Sequence, residues 1–145
     1  MVAKRCSNRR SACPVEFALD VFGDRWTLLI IRDMLFMGKR HFREFRESAE
    51  GIAANILSDR LKRLVAHGIL EGREDPRNRR QIVYSLTAKG RDLVPTILEM
   101  IRWGAKYDVN SVFPLEMLER IESDRDQYGA ELLARLDTST NPAGG

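Results

Sequence analysis

Asn55, Ser58, Asp59 and Lys62 stand at spacings of three, four and seven in the stretch ANILSDRLKRL. At about 100° per residue these spacings put them on one side of a helix, with Ala66 further along. An Asn side chain there can offer its carbonyl and amino group to N6 and N7 of adenine, and a hydroxyl or ammonium can reach a base or a phosphate. Asp59 could accept from cytosine N4. An intrahelical pair with Lys62 or Arg63 is expected instead, because a carboxylate is a poor neighbour for phosphates. Further on, Arg77, Arg79 and Arg80 crowd around Asn78. Guanidinium is weakly hydrated and its fork fits phosphate oxygens, so such a cluster suits a nucleic-acid backbone or a minor groove. Arg40 and His41, in KRHFREFRES, are further candidate phosphate contacts. The plain reading of His41 is a surface histidine on a basic turn.

Other chemistry lacks its residues. There is no P-loop Gly–Lys run, no histidine pair at i, i+4 and no nucleophile elbow. Cys6 and Cys13 are seven apart, which is not a CxxC spacing, and neither has a local histidine for zinc. No enzyme, cofactor or metal is expected.

The elements that must position the polar groups follow from pattern. Pro14 suits a first helical position and Glu16 a first turn, so 14–22 reads as a short helix ended by a left-handed Gly23. Asp24 then caps a helix from Arg25 to about Phe36, apolar nearly all round and therefore buried, with Gly38 as its stop. Phe42 and Phe45 give a short helix an aromatic inner face. After a turn at Glu50–Gly51, a helix over 52–67 carries Ala53, Leu57, Leu61 and Leu64 on one stripe with Arg60 at its edge, and Gly68 ends it beyond His67. Residues 69–74 and 81–87 read as strands around a turn at 75–78. Thr87 is expected to cap a long helix to about Asp108, mildly kinked at Pro95. Helical spacing resumes from Leu115 to Leu136, with a break near Ser123. The order buried helix, short helix, polar-faced helix, strand, basic turn, strand is that of a winged helix-turn-helix.

Composition is compatible with that. Of 145 residues 43% are hydrophobic and 31% charged, the profile of an ordinary globular chain. No apolar run is long enough for a membrane span; the longest, 26–31, has six residues. The first residues are basic but carry no apolar segment of a secretory signal, so the chain is expected in the cytoplasm, associated with the nucleoid, with reduced cysteines. The net charge of +3 conceals an asymmetry. Residues 38–91 hold 13 Lys and Arg against 7 Asp and Glu, whereas 92–145 hold 5 against 10. One face meeting a polyanion and another meeting solvent or a second subunit would account for it.

The segments CPVEFALDVFGDRWTLLIIRDML, GKRHFREFRES, GIAANILSDRLKRLVAHGIL and IVYSLTAKGR resemble the HxlR-type winged-helix regulators, a MarR-like bacterial family, over about 13–107. The resemblance implies a mainly α fold with a small β-hairpin: a winged helix-turn-helix with N- and C-terminal dimerisation helices. It implies a homodimer on double-stranded operator DNA, with 52–67 in the major groove and the wing at about 75–81 on the backbone or minor groove. It also places Ala53, Ala54 and Asn55 at the entry of the recognition helix, where many relatives have longer polar residues, so thymine methyls and DNA shape gain weight. Cys13 matches a cysteine that some relatives use to sense oxidants or electrophiles. The helix start and Arg9 and Arg10 would favour its thiolate, although a partly buried small residue is the plain alternative. The expected organisation is a flexible basic arm over 1–12, the DNA-binding domain over 13–108, a dimerisation extension over 109–137 and a disordered tail over 138–145. A small-molecule effector is an open partner. A winged-helix module for an acidic protein, and a small thiol enzyme, are the competing readings.

Overall fold

The protein is described here by a computed structural model covering residues 11–140, so 1–10 of the expected arm, Cys6 included, and 141–145 of the expected tail lie outside the described residues. The elements run α1 (Pro14–Phe22), α2 (Arg25–Met37), α3 (Phe42–Arg46), α4 (Ala54–Ala66), β1 (Leu70–Asp75), β2 (Asn78–Leu86), α5 (Ala88–Arg91), α6 (Val94–Tyr107) and α7 (Leu115–Thr140). This is the mainly helical, winged helix-turn-helix arrangement with one antiparallel hairpin.

The central element is α2. Asp24 starts it by accepting from the amides of Trp26 and Thr27 at 3.0 and 3.1 Å and from the Thr27 hydroxyl. Gly38 ends it in the left-handed conformation, φ 66°, which a side chain would resist. Gly23 behaves differently from expectation: its φ of −76° is right-handed. Glycine is suited there because a Cβ would press on the Leu19 carbonyl.

Two apolar clusters share α2. In one, Ile30, Ile31 and Met34 pack with Phe45, Leu57, Leu61, Leu64, Ile69 and Leu70. This cluster fastens α4 and the base of the hairpin to the body of the molecule. In the other, Leu35 meets Val94 and Leu98 of α6 and Ile121, Tyr128 and Leu132 of α7. These three residues of α7 therefore pack against the rest of the same chain. The aromatic inner face expected of α3 reduces to one ring, since Phe45 is buried but Phe42 is 39% exposed. Ala53 leaves the expected stripe too; it is the exposed N-cap of α4.

Several element boundaries differ from those the local pattern predicts. The hairpin loop is only Pro76 and Arg77, because Asp75 pairs with Asn78, so β2 begins three residues earlier than expected. The long helix from Thr87 is two helices. Thr87 caps α5, and Pro95 initiates α6 instead of kinking a continuous helix. The break expected near Ser123 falls at Asp124, which is non-helical at φ −156° and accepts from the amide of Gln127 at 3.0 Å. It caps the second half of α7. That helix continues through Thr140, so 138–140, expected to be disordered, are helical.

Candidate nucleic-acid interface

The outer face of α4 is polar because its inner face is committed. Leu57, Leu61 and Leu64 are at most 1% exposed, which leaves Ala54, Asn55, Asp59, Lys62 and Arg63 on the outside and Ser58 half-buried. Gly51, at φ 70°, turns the chain sharply into the helix. Ala53 provides no side-chain cap, so the first-turn amides of α4 have no side-chain acceptor from the N-cap and leave a partial positive charge suited to an anion.

Several polar contacts fix how α4 is presented. Arg60 Nε donates to Asp24 Oδ2 at 2.8 Å, tying α4 to the cap of α2, and Arg60 also pairs with Asp59. The expected Asp59 pair with Lys62 or Arg63 is thus replaced by one with its neighbour Arg60. Arg63 reaches instead toward the Asp20 carbonyl at 3.5 Å. The turn before α4 is anchored from below by Asp33, a carboxylate only 2% exposed. It accepts from Arg32 Nε and Nη2 at 2.9 and 2.7 Å, from Lys39 Nζ at 3.3 Å and from the Ser48 hydroxyl. Arg32 in turn grips Glu50 at 2.9 and 2.7 Å.

In the wing, Arg77, Asn78, Arg79 and Arg80 are all exposed, and among the described residues the three guanidinium groups form no ion pair. The turn is made by short polar side chains. Asp75 Oδ1 accepts from the Arg77 amide at 2.9 Å and Asn78 Oδ1 from the Arg80 amide at 3.2 Å. Only Arg77 occupies the loop; Arg79 and Arg80 project from the start of β2.

Arg40 and His41 serve the frame. The Arg40 carbonyl accepts from the Tyr84 amide at 2.8 Å, so this segment lies along the free edge of β2, and its Nε reaches the Tyr84 carbonyl at 3.5 Å. His41 caps α3 and touches two carboxylates, Glu44 and Asp75. Its bond to Asp75 joins the start of α3 to the end of β1, beside the Arg40 contact to β2. Among the described residues no side-chain hydrogen bond or ion pair joins the outer face of α4 to the wing tip.

Sequence reasoning missed Asp33, Arg60 as a fastening group, and the exposed Arg43 and Arg46 of α3. A carboxylate inside a helix apolar nearly all round was the available signal for Asp33. The Asp24–Arg60 pair spans 36 residues and left none. Cys13 is exposed at the N-cap of α1. Between the hairpin and the end of α7 lies an open crevice of about 730 Å³, bordered by Arg40, Arg73, Val83, Arg91, Leu136 and Asp137. Among the described residues no cluster could hold a metal ion, and no helix is long and apolar enough to cross a membrane.

The HxlR-like helix-turn-helix family matches residues 21–111. The chain is 38% identical over 95 residues to the uncharacterized HTH-type transcriptional regulator YybR of Bacillus subtilis, covering 66% of this chain and 75% of that one. It is also similar to the redox regulator HypR in its oxidized form, with a TM-score of 0.58, 38% identity and coverage of 65% of this chain and 96% of that one. The reduced form of the transcriptional regulator YodB from B. subtilis superposes with a TM-score of 0.55 at 32% identity, over 70% of this chain and 99% of that one.

Proposed function

Because this chain belongs to the HxlR-like helix-turn-helix family of DNA-binding transcription regulators, and not to a family of enzymes, we propose that it binds operator DNA as a homodimer, with α4 in the major groove and the wing on the backbone or minor groove. The observation that carries the proposal is the pairing of two surfaces: a rigidly fastened α4 with an uncapped start, and a wing whose three guanidinium groups form no ion pair among the described residues. In this reading Asn55 and Ser58 read bases, Lys62 and Arg63 reach base or phosphate, and Ala53 and Ala54 leave room for thymine methyls. Arg77, Arg79 and Arg80 hold phosphates or enter a minor groove, with Asn78 shaping the turn. Arg40, His41 and Asp59 are reassigned to positioning. Asp59 belongs there through its bond to Arg60.

The surface for a second copy in this reading lies on α1 and α6. Val15 and Leu19 are 66% and 59% exposed, and Met100, Trp103 and Tyr107 follow one face of α6 at 54–63%. Apolar patches of that kind favour self-association, and a two-fold pair of reading helices matches a palindromic site. An effector, if the regulator takes one, would find room in the crevice between wing and α7.

Titrating the full chain against DNA from upstream of its own coding region, by fluorescence anisotropy at several salt concentrations, tests this. Binding should weaken with salt at about −0.9 per phosphate contacted on a log–log plot. Replacing Arg79 and Arg80 together by Ala should weaken every sequence and flatten that slope, while Asn55→Ala should mainly reduce discrimination between sequences. No binding at low salt would favour the protein-interaction module.

A thiol-sensing version is a second reading, favoured by the exposure of Cys13 at a helix start and by the similarity to HypR. Mass spectrometry after mild oxidant treatment tests it; an unmodified Cys13 would dismiss the sensor.

A further inference from the structure

His41 sits where α3 begins and faces the last residue of β1. Its Nδ1 lies 2.8 Å from Glu44 Oε1 and its Nε2 2.9 Å from Asp75 Oδ2. A carboxylate only accepts, so each ring nitrogen needs a proton to make its bond, and a neutral imidazole carries just one. Both contacts are satisfied together only by the imidazolium. The two carboxylates are held in place by other groups. Glu44 Oε1 accepts from the amides of Arg40 and His41 at 3.2 and 3.0 Å, and Asp75 Oδ1 from the Arg77 amide at 2.9 Å. The ring therefore meets a pre-formed pair of acceptors, one belonging to the helix-turn-helix and one to the turn of the wing.

We propose that His41 is a positioning residue for DNA recognition: as an imidazolium it bridges α3 to the base of the wing and sets the attitude of Arg77, Arg79 and Arg80, and its deprotonation releases them. The inference rests on the DNA-binding reading above and adds to it a proton-dependent control of the wing.

The charged groups around the ring are Glu44 from α3, Asp75 from β1, and Arg77, which acts on Asp75 from the turn. Arg40 contributes its backbone amide. Partial burial pulls the imidazole pKa down, but the bonds and charges of Glu44 and Asp75 outweigh it, and the net direction is upward. Burial pushes Glu44 up, and its bonds to His41 and to the Arg40 and His41 amides more than reverse this; Asp75 is lowered by the Arg77 amide first and by His41 second. The bridge is thus complete from above the carboxylate range up to the raised imidazole pKa, and it is lost as pH rises through that value. Phosphates arriving at the wing would favour the imidazolium further, so DNA binding should take up protons at pH values where the free ring is neutral.

The test uses the full chain. Nitrogen-15 NMR of the imidazole gives its protonation and tautomer, and anisotropy with operator DNA gives affinity, both followed from about pH 5.5 to 9. Expected is a ring protonated on both nitrogens past the ordinary histidine value of about 6.5. The amide resonances of 75–80 should shift with the same midpoint. DNA affinity should fall by about three- to fivefold across that midpoint, the size of a partly exposed ionic bridge. His41→Gln should hold the weaker affinity with no step. Should that variant fold poorly, Asp75→Asn keeps the Oδ1 acceptor for Arg77 and should abolish the same step. A ring found as a neutral single tautomer at pH 6, or an affinity step that persists in His41→Gln and Asp75→Asn, overturns the proposal. Should wild-type protein bind no DNA at any pH, the DNA-binding reading fails, while the ring and wing resonances still decide whether the bridge exists.

Discussion

Asp33 is the residue on which the turn into α4 rests most directly. At 2% exposure its carboxylate has no water to fall back on, and Arg32, Lys39 and Ser48 supply its bonds. Removing it leaves Lys39 without its carboxylate while Arg32 keeps Glu50, and the loss of one partner of a buried ion pair typically costs about 3–5 kcal/mol. Asp33→Ala should therefore lower stability by about 3 kcal/mol in urea unfolding, and should loosen the turn at Ser48–Gly51 that leads into α4. Asp24 is the second such residue, because one carboxylate both starts α2 and holds Arg60. Asp24→Asn keeps a capping oxygen and loses the charge, whereas Asp24→Ala loses both. The Ala change should cost about 1–2 kcal/mol, the range of N-cap losses, and the Asn change less. If the two variants melt alike, the cap contributes nothing beyond the ion pair.

Among the elements, the join between hairpin and α5 has the least room. Thr87 donates to the carbonyls of Gly68 and Ile69 at 2.5 and 3.0 Å and accepts from the Gly90 amide at 3.1 Å. Gly90 is buried, and a Cβ there would run into the Ile69 carbonyl, a backbone atom that cannot swing aside. Gly90→Ala should destabilise by about 1–3 kcal/mol, the range for overpacked sites, and calorimetry would detect it. An unchanged melting temperature would mean that α5 shifts freely. By contrast Gly72 lies under the side chains of Ile82 and Tyr84, where the nearest atoms are movable. Substitution there should be milder.

For the whole molecule, α7 decides whether the rest stands. It covers Leu35, Val94 and Leu98, each at most 4% exposed, and Arg91 grips Asp137 near its end. Uncovering three such side chains forfeits about 5 kcal/mol or more, comparable with the total stability of a small domain. A chain ending at Pro114 should accordingly be unfolded or aggregated by circular dichroism and light scattering. The proposed boundary between 13–108 and 109–137 would then mark where the family likeness ends, not an independent folding unit. Acid should also unfold the protein. Asp24, Glu44 and Glu50 are all held below their ordinary values, Asp24 and Glu44 against the upward pull of burial, Glu50 chiefly by Arg32. Their contribution is present above the unfolded carboxylate range and is lost as pH falls through the lowered values.

Local pattern was enough for most of the architecture. Helical spacing located α4 and the break in α7, short polar residues marked the turn of the wing, and Asp24 and Thr87 announced their helices, because caps and periodicities are properties of neighbours along the chain. The polar residues on the outer side of α4 and the exposed arginines of the wing were legible for the same reason. What the tertiary structure decided was which charges are already occupied. Arg60 was an edge residue until Asp24, 36 positions away, met it. His41 became a bridge only when the end of β1 came beside the start of α3. The apolar spacing of α7 did not say what it covers; Ile121, Tyr128 and Leu132 pack on α6 and α2 within the same chain. An ion pair or a packed face depends on distances between segments remote in sequence, and spacing along one segment carries no record of them.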